Sequence, residues 1–163
     1  MTVIFLLMTP FAYSDSSTRS GQDPQLYVTL GTGLPNVATA GAVFCPDASY
    51  YLQIGGGSFL LESGAWTADI SGGWVFHDFG GVKNSMLLTG IGYSIYYLNN
   101  FFLSSESSAN PKFETHNFVT LSCDYIKFFQ PQGRLAWTAG ISLNGSTSAF
   151  LPELRVGLVL QAF

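Results

Sequence analysis

Residues 134–144 read RLAWTAGISLN, in which Leu135, Trp137, Ala139, Ile141 and Leu143 alternate with Arg134, Ala136, Thr138, Gly140, Ser142 and Asn144. A helix would scatter these side chains around its axis, whereas an extended strand sends successive side chains to opposite faces. The stretch therefore predicts a β-strand with one wholly apolar face and one face of small or polar groups. Residues 65–77, AWTADISGGWVFH, repeat the pattern. There Trp66, Ala68, Ile70, Trp74 and Phe76 oppose Thr67, Asp69, Ser71, Gly73 and His77.

Working outward from these two stretches, eight strand-like runs emerge: 25–33, 37–45, 49–61, 65–77, 85–98, 113–127, 133–144 and 153–163. The breaks between them are rich in turn residues, as at Leu34-Pro35-Asn36, Pro46-Asp47-Ala48, Glu62-Ser63-Gly64 and Gly145 to Pro152. Two further runs alternate legibly. Val119, Leu121, Cys123 and Tyr125 oppose Thr120, Ser122 and Asp124, and Leu87, Ile91, Tyr93, Ile95 and Tyr97 oppose Gly90, Gly92 and Ser94. The second run, VATAGAVFC, shows no readable phase. An even number of antiparallel runs suits an all-β, up-and-down barrel closed on itself.

Composition decides which solvent such a barrel faces. Charged residues make up 10% of the 163-residue chain, against roughly 25% in an ordinary soluble domain. Hydrophobic residues reach 47% and aromatics 15%, so much of the surface meets something other than water. The chain contains no apolar run of about 18 residues, the length a membrane-spanning helix needs. A spanning chain of this composition crosses as strands. A soluble β-sandwich also alternates, but it needs charged or strongly polar outer positions, and the polar faces here offer mainly Gly, Ser and Thr. Trp66, Trp74, Phe76, Tyr93, Tyr97, Tyr125 and Trp137 fall toward run ends or on the apolar faces, where interfacial aromatic girdles form; ordinary packing is the alternative.

The N-terminus fits the same location. Residues 2–12, TVIFLLMTPFA, have the length of an export-signal core, with small residues and an Ala12-Tyr13-Ser14 cleavage pattern after them. The expected organisation is a signal over 1–14, a flexible lead-in over 15–24 and a barrel over 25–163. No Lys or Arg precedes the apolar run, and a buried N-terminal strand is the alternative.

Other functions find less support. Net charge is −4 and the six basic residues are scattered, so no stripe exists to follow a phosphate backbone and nucleic acid is not an expected partner. Cys45 and Cys123 lack CxxC or Cys/His spacing, which leaves a disulfide or two free thiols. No catalytic, cofactor-binding or metal site is legible.

On these grounds the chain resembles the small OmpA-like outer-membrane barrels: an export signal, eight runs and a terminal LRVGLVLQAF ending on Phe163. The resemblance is architectural and covers residues 25–163. It implies a bacterial outer-membrane location, outer-membrane lipid as the surrounding partner, and a C-terminal aromatic strand read by the barrel-assembly machinery. The match departs at the end, since Leu154, Val156, Leu158 and Leu160 share one phase while Phe163 lies in the other with Arg155 and Gln161. Either a bulge shifts the phase or Phe163 faces the barrel mouth.

Period-two counting then points Asp69, Asp124, Arg134 and Arg155 into one narrow lumen. Unpaired buried charges are costly, so an internal salt-bridge network is expected there, and an eight-stranded interior leaves no room for a wide channel. Some small outer-membrane barrels modify lipid A with a His-x-Ser pair, but His77 and His116 are followed two positions later by Phe79 and Phe118. The longest break, residues 99–112, is the best surface loop, with Phe101, Phe102, Leu103 and Glu106 placed to anchor on the rim or meet an extracellular ligand or surface partner. Asn144-Gly145-Ser146 matches a glycosylation acceptor and is read as a turn. The expectation is a non-enzymatic barrel with a structural or surface-interaction role. The alternatives are a lipid-modifying outer-membrane enzyme and a soluble secreted barrel of lipocalin type.

Overall fold

The computed structural model describes residues 23–59, 64–99, 113–131, 133–147 and 149–162. Its strands are β1 (Gln25–Leu34), β2 (Asn36–Cys45), β3 (Tyr50–Phe59), β4 (Trp66–His77), β5 (Ser85–Asn99), β6 (Phe113–Phe128), β7 (Leu135–Gly145) and β8 (Phe150–Gln161). Each pairs antiparallel with the next, and β8 returns to β1, closing the barrel. Eight runs thus become eight strands in the expected order. The export signal, all of the lead-in but Asp23 and Pro24, and the long loop after Asn99, which itself ends β5, lie outside the described residues.

The shorter strands β1, β2 and β3 have 10 residues each, the length a tilted strand needs to cross a hydrocarbon layer. β5 and β6 reach 15 and 16 residues. Their hairpin projects beyond the rim: β6 pairs with β5 from Phe113 but with β7 only from Val119. The β1–β2, β3–β4, β5–β6 and β7–β8 connections share this rim, and the first residue of β1 and the last of β8 lie at the other.

The read phases hold in β4, β5, β6 and β7, where the apolar series point outward. β2 also has a phase, with Thr39, Gly41, Val43 and Cys45 inward and Ala38, Ala40 and Phe44 exposed. Its phase is hard to read in the sequence because most of its outward residues are alanines and two of its inward ones are apolar. A bulge between Asn36 and Ala38 shifts the register and buries Asn36. β8 starts three residues before the expected run, taking in Pro152. β1 stops pairing with β8 at Leu154, so Pro152 sits beside an open edge where a missing N–H is tolerated. The β1–β8 register runs unbroken to Gln161, so no bulge shifts the phase before that point, and Phe163 lies outside the described residues.

The interior is layered. Near the termini, Tyr27, Val43, Cys45, Tyr51, Val75, Met86, Leu88, Ile126, Ala136 and Val159 form an apolar plug. Toward the loop rim, Ala65, Tyr96, Leu98 and Phe118 form a smaller one, backed by Phe59, Ala149 and Leu151. The polar residues occupy the level between them. Cys45 and Cys123 are free thiols on opposite faces of the wall, Cys45 buried inside and Cys123 on the outward face.

Candidate functional site: the polar layer of the lumen

Arg155 on β8 is the cation of this layer. Its Nη2 donates to both carboxylate oxygens of Asp124 on β6, at 2.9 and 3.2 Å. The side chains of the pair are 15% and 11% exposed, so the desolvated ions depend on each other. Gly140 makes the arrangement possible, because a Cβ at that position would collide with the Asp124 carboxylate. Gly90 does the same for the Tyr51 hydroxyl. Small inward residues here are the seats on which larger inward groups rest.

Two residues along β8, Glu153 faces the same lumen and is 6% exposed. One of its oxygens accepts from Asn36 Nδ2 on β2 at 2.7 Å, and the other from Tyr96 Oη on β5 at 3.3 Å and Ser142 Oγ on β7 at 3.1 Å. One carboxylate thus ties four strands together across the barrel. Beside it runs a hydroxyl relay: Thr120 Oγ1 donates to Asn144 Oδ1 at 2.7 Å, so the 2.6 Å contact with Ser94 is donated by Ser94. Asn144 Nδ2 donates in turn to the Leu151 carbonyl at 3.1 Å. Asn144 is fully buried, so its side chain serves this relay and the turn comes after it.

Of the four residues expected to share the lumen, Asp69, Asp124 and Arg155 do and Arg134 does not. Arg134 is exposed in a bend just before β7, where its carbonyl accepts from Gln161 N at 2.7 Å. Arg134 lies one residue before β7, where the chain does not alternate, so strand parity does not fix its direction. Two acids and two bases thereby become three acids, Asp69, Asp124 and Glu153, with one arginine. Glu153 was findable, since it shares the parity of Arg155. Asn36, Tyr96 and Asn144 join through contacts no local pattern announces.

His77 Nε2 lies 3.0 Å from the Ala48 carbonyl, and its direct cross-strand partner is Met86. His116 is half-buried opposite Tyr96, with no partner for its Nε2 among the described residues. Among the described residues the cross-strand neighbour of His116 is neither a serine nor a carboxylate. Phe101, Phe102, Leu103 and Glu106 lie outside the described residues.

Two cavities of about 40 Å³ each remain in the lumen and share Thr29, Thr39, Gln53 and Arg155. Both are far smaller than a ligand pocket.

On the outside, the strands carry apolar residues from rim to rim. Val28, Leu30, Leu52, Ile54, Ile70, Ile91, Val119, Leu121, Ile141, Leu154, Val156 and Leu158 are all exposed. Trp66 stacks on Tyr97 and Tyr97 on Phe113 at one rim, with centroids 5.8 and 5.2 Å apart, and Tyr125 packs on Trp137 at 5.5 Å toward the other. Tyr93, by contrast, lies further down β5, among the aliphatic residues. Among the described residues the outward strand positions hold one charge, Lys127 near the end of β6, whose ammonium reaches the Lys83 carbonyl.

No protein-family model matches the chain, and no curated protein matches its sequence. Solved structures do match its shape. The N-terminal β-barrel domain of Pseudomonas aeruginosa OprF superposes with a TM-score of 0.62 at 10% identity, over 86% of this chain and 98% of that one. A de novo designed transmembrane β-barrel gives 0.53 at 11% identity, over 87% and 98%. The Yersinia pestis outer membrane protein Ail, in a phospholipid nanodisc, gives 0.53 at 7% identity, over 85% and 99%. The fold is that of the small eight-stranded outer-membrane barrels.

Proposed function

We propose that this chain is a non-enzymatic outer-membrane barrel, in which the strands are a membrane-embedded scaffold and the loops of the projecting rim have a structural or surface-contact role. The observation that carries this reading is the outer wall, apolar along its strands with one charge, at a strand end, among the described residues. Such a surface is costly in water, and lipid removes the cost. The filled lumen supports a scaffold over a channel, since an apolar cluster lies toward each end and each of the two cavities described between them is only about 40 Å³. In this reading residues 1–14 are the export signal, the barrel-assembly machinery inserts the chain, outer-membrane lipid surrounds it, and the segment with Phe101, Phe102, Leu103 and Glu106 meets an extracellular ligand or surface partner.

The test is fractionation of cells expressing the full chain, followed by electrophoresis of the membrane fraction with and without boiling. Recovery in the outer membrane with a boiling-dependent mobility shift is the expected result. A soluble, detergent-independent protein would overturn the reading in favour of a lipocalin-like barrel.

A further inference from the structure

The described basic residues are Lys83, Lys127, Arg134 and Arg155. Arg155 is inside the lumen, paired with Asp124. The other three stand at the rim where β1 begins and β8 ends: Lys83 in the β4–β5 connection, Lys127 near the end of β6 and Arg134 in the bend before β7. One arc of that rim thus carries every described cation outside the lumen. No carboxylate pairs with any of the three among the described residues. The acids of this rim are placed or committed elsewhere. Asp23 precedes β1, and Asp47, between β2 and β3, accepts from Ser49 N and Tyr50 N at 2.6 and 3.0 Å. Asp78 shares the connection of Lys83, but its Oδ1 accepts from Asn84 N at 2.8 Å.

The wall beside these cations supplies the second observation. Lys127 is directly opposite Trp137 on β7, and Trp137 packs on Tyr125, with Leu135 exposed next to them. The Lys127 ammonium does not stay over this pair. It reaches to the rim, where it meets the carbonyl of Lys83, itself exposed. A lysine stem can follow apolar surface and set its charge at the polar boundary, and Trp and Tyr favour the same boundary. Two ammonium groups therefore stand on the polar side of one boundary and two aromatic rings on the apolar side.

We propose that this arc binds an anionic phospholipid of the leaflet that meets the terminal rim, with Lys83 and Lys127 on the phosphodiester and Trp137 and Tyr125 beside the glycerol and the start of the chains. The inference rests on the membrane reading above. A zwitterionic lipid carries its own cation and gains less from two unpaired lysines. Basic residues at a membrane surface favour anionic lipid by about fivefold for each charge.

The test refolds the full chain, with Trp66→Phe and Trp74→Phe so that Trp137 is the emitter, into phosphatidylcholine vesicles. These contain a minor share of either phosphatidylglycerol or phosphatidylcholine with brominated chains, which quench an indole on contact. Brominated phosphatidylglycerol is expected to quench Trp137 as if enriched several-fold over its share, and brominated phosphatidylcholine in proportion to its share. Lys83→Gln combined with Lys127→Gln is expected to bring the two lipids level. Equal quenching by the two lipids before those substitutions, or an excess that survives them in a folded barrel, would overturn the site and leave the membrane wall standing. Quenching by neither lipid would overturn the membrane reading as well. If a substituted barrel does not fold, the wild type with all three Trp decides: quenching by phosphatidylglycerol no greater than by phosphatidylcholine means that no such site exists.

Discussion

Along β8, Leu154, Val156, Leu158 and Leu160 face outward while Glu153, Arg155, Gly157 and Val159 face inward, so two surfaces with opposed demands alternate along one strand. The outer surface answers to lipid, which asks only that side chains be apolar. Leu, Ile and Val can replace one another there. The inner surface answers to itself: Asp124 needs Arg155, Glu153 needs Asn36, Tyr96 and Ser142, and Asp124 needs a glycine at 140. One face is held by composition and the other by particular partners. Substitutions on the two faces therefore fail for different reasons and under different conditions.

The largest effect is expected inside. Arg155→Met leaves Asp124 without its partner in a layer that already carries two more carboxylates, and breaking a buried pair of this kind is destabilising by about 3–5 kcal/mol. Urea unfolding of the refolded barrel measures it. Adding Asp124→Asn to Arg155→Met is expected to recover much of the loss, because the stranded charge goes with it. Acidification is expected to narrow the gap between Arg155→Met and wild type, since protonated carboxyls need no counter-charge. A single variant as stable as the wild type would mean that the lumen, like the outer wall, has no specific partners.

Outside, the medium sets the effect. Leu121 is exposed on β6 with Ile91 and Leu143 as its outward cross-strand neighbours, well within the aliphatic band. Leu121→Arg is expected to cost about 2–4 kcal/mol in phospholipid vesicles, the range for a cation near the bilayer midplane. Unfolding titrations in vesicles supply the figure. If the wall instead faced water, the same substitution would be close to neutral, and the contrast between the two faces would collapse.

The same contrast explains how much could be read from the chain. Outer faces were legible in β4 and β7 because an apolar series with period two is a local pattern that needs no partner. β2 defeated this reading because three of its outward residues, Ala38, Ala40 and Ala42, are small while Val43 and Cys45 are inward, so its hydrophobic contrast is weak and partly reversed. The lumen was legible only in part. Asp69, Asp124 and Arg155 follow from parity within their strands. Glu153 has the parity of Arg155 and opens the 153–163 run directly after Pro152, so it stands at the edge of the legible pattern rather than within it. Asn36 was hidden more deeply. It reads as a turn residue, its inward aim comes from a bulge, and its partner Glu153 is 117 positions away in the chain.

The smallest expected effect separates two arginines that counting treated alike. Arg134 and Arg155 both fall on the polar phase of their runs, but Arg134 precedes β7 in an exposed bend, and its observed tie to β8 is made by its backbone carbonyl. Replacing the side chain with alanine leaves that carbonyl in place and uncovers no buried charge. Arg134→Ala is therefore expected to change stability by no more than about 0.5 kcal/mol, the range for a surface substitution away from special features. The same urea titration compares it with Arg155→Met. A loss approaching that of Arg155→Met would mean that the guanidinium of Arg134 reaches into the barrel mouth and pairs there, extending the lumen network past the apolar plug at the terminal end. A small loss confines that network to the level between the two apolar clusters.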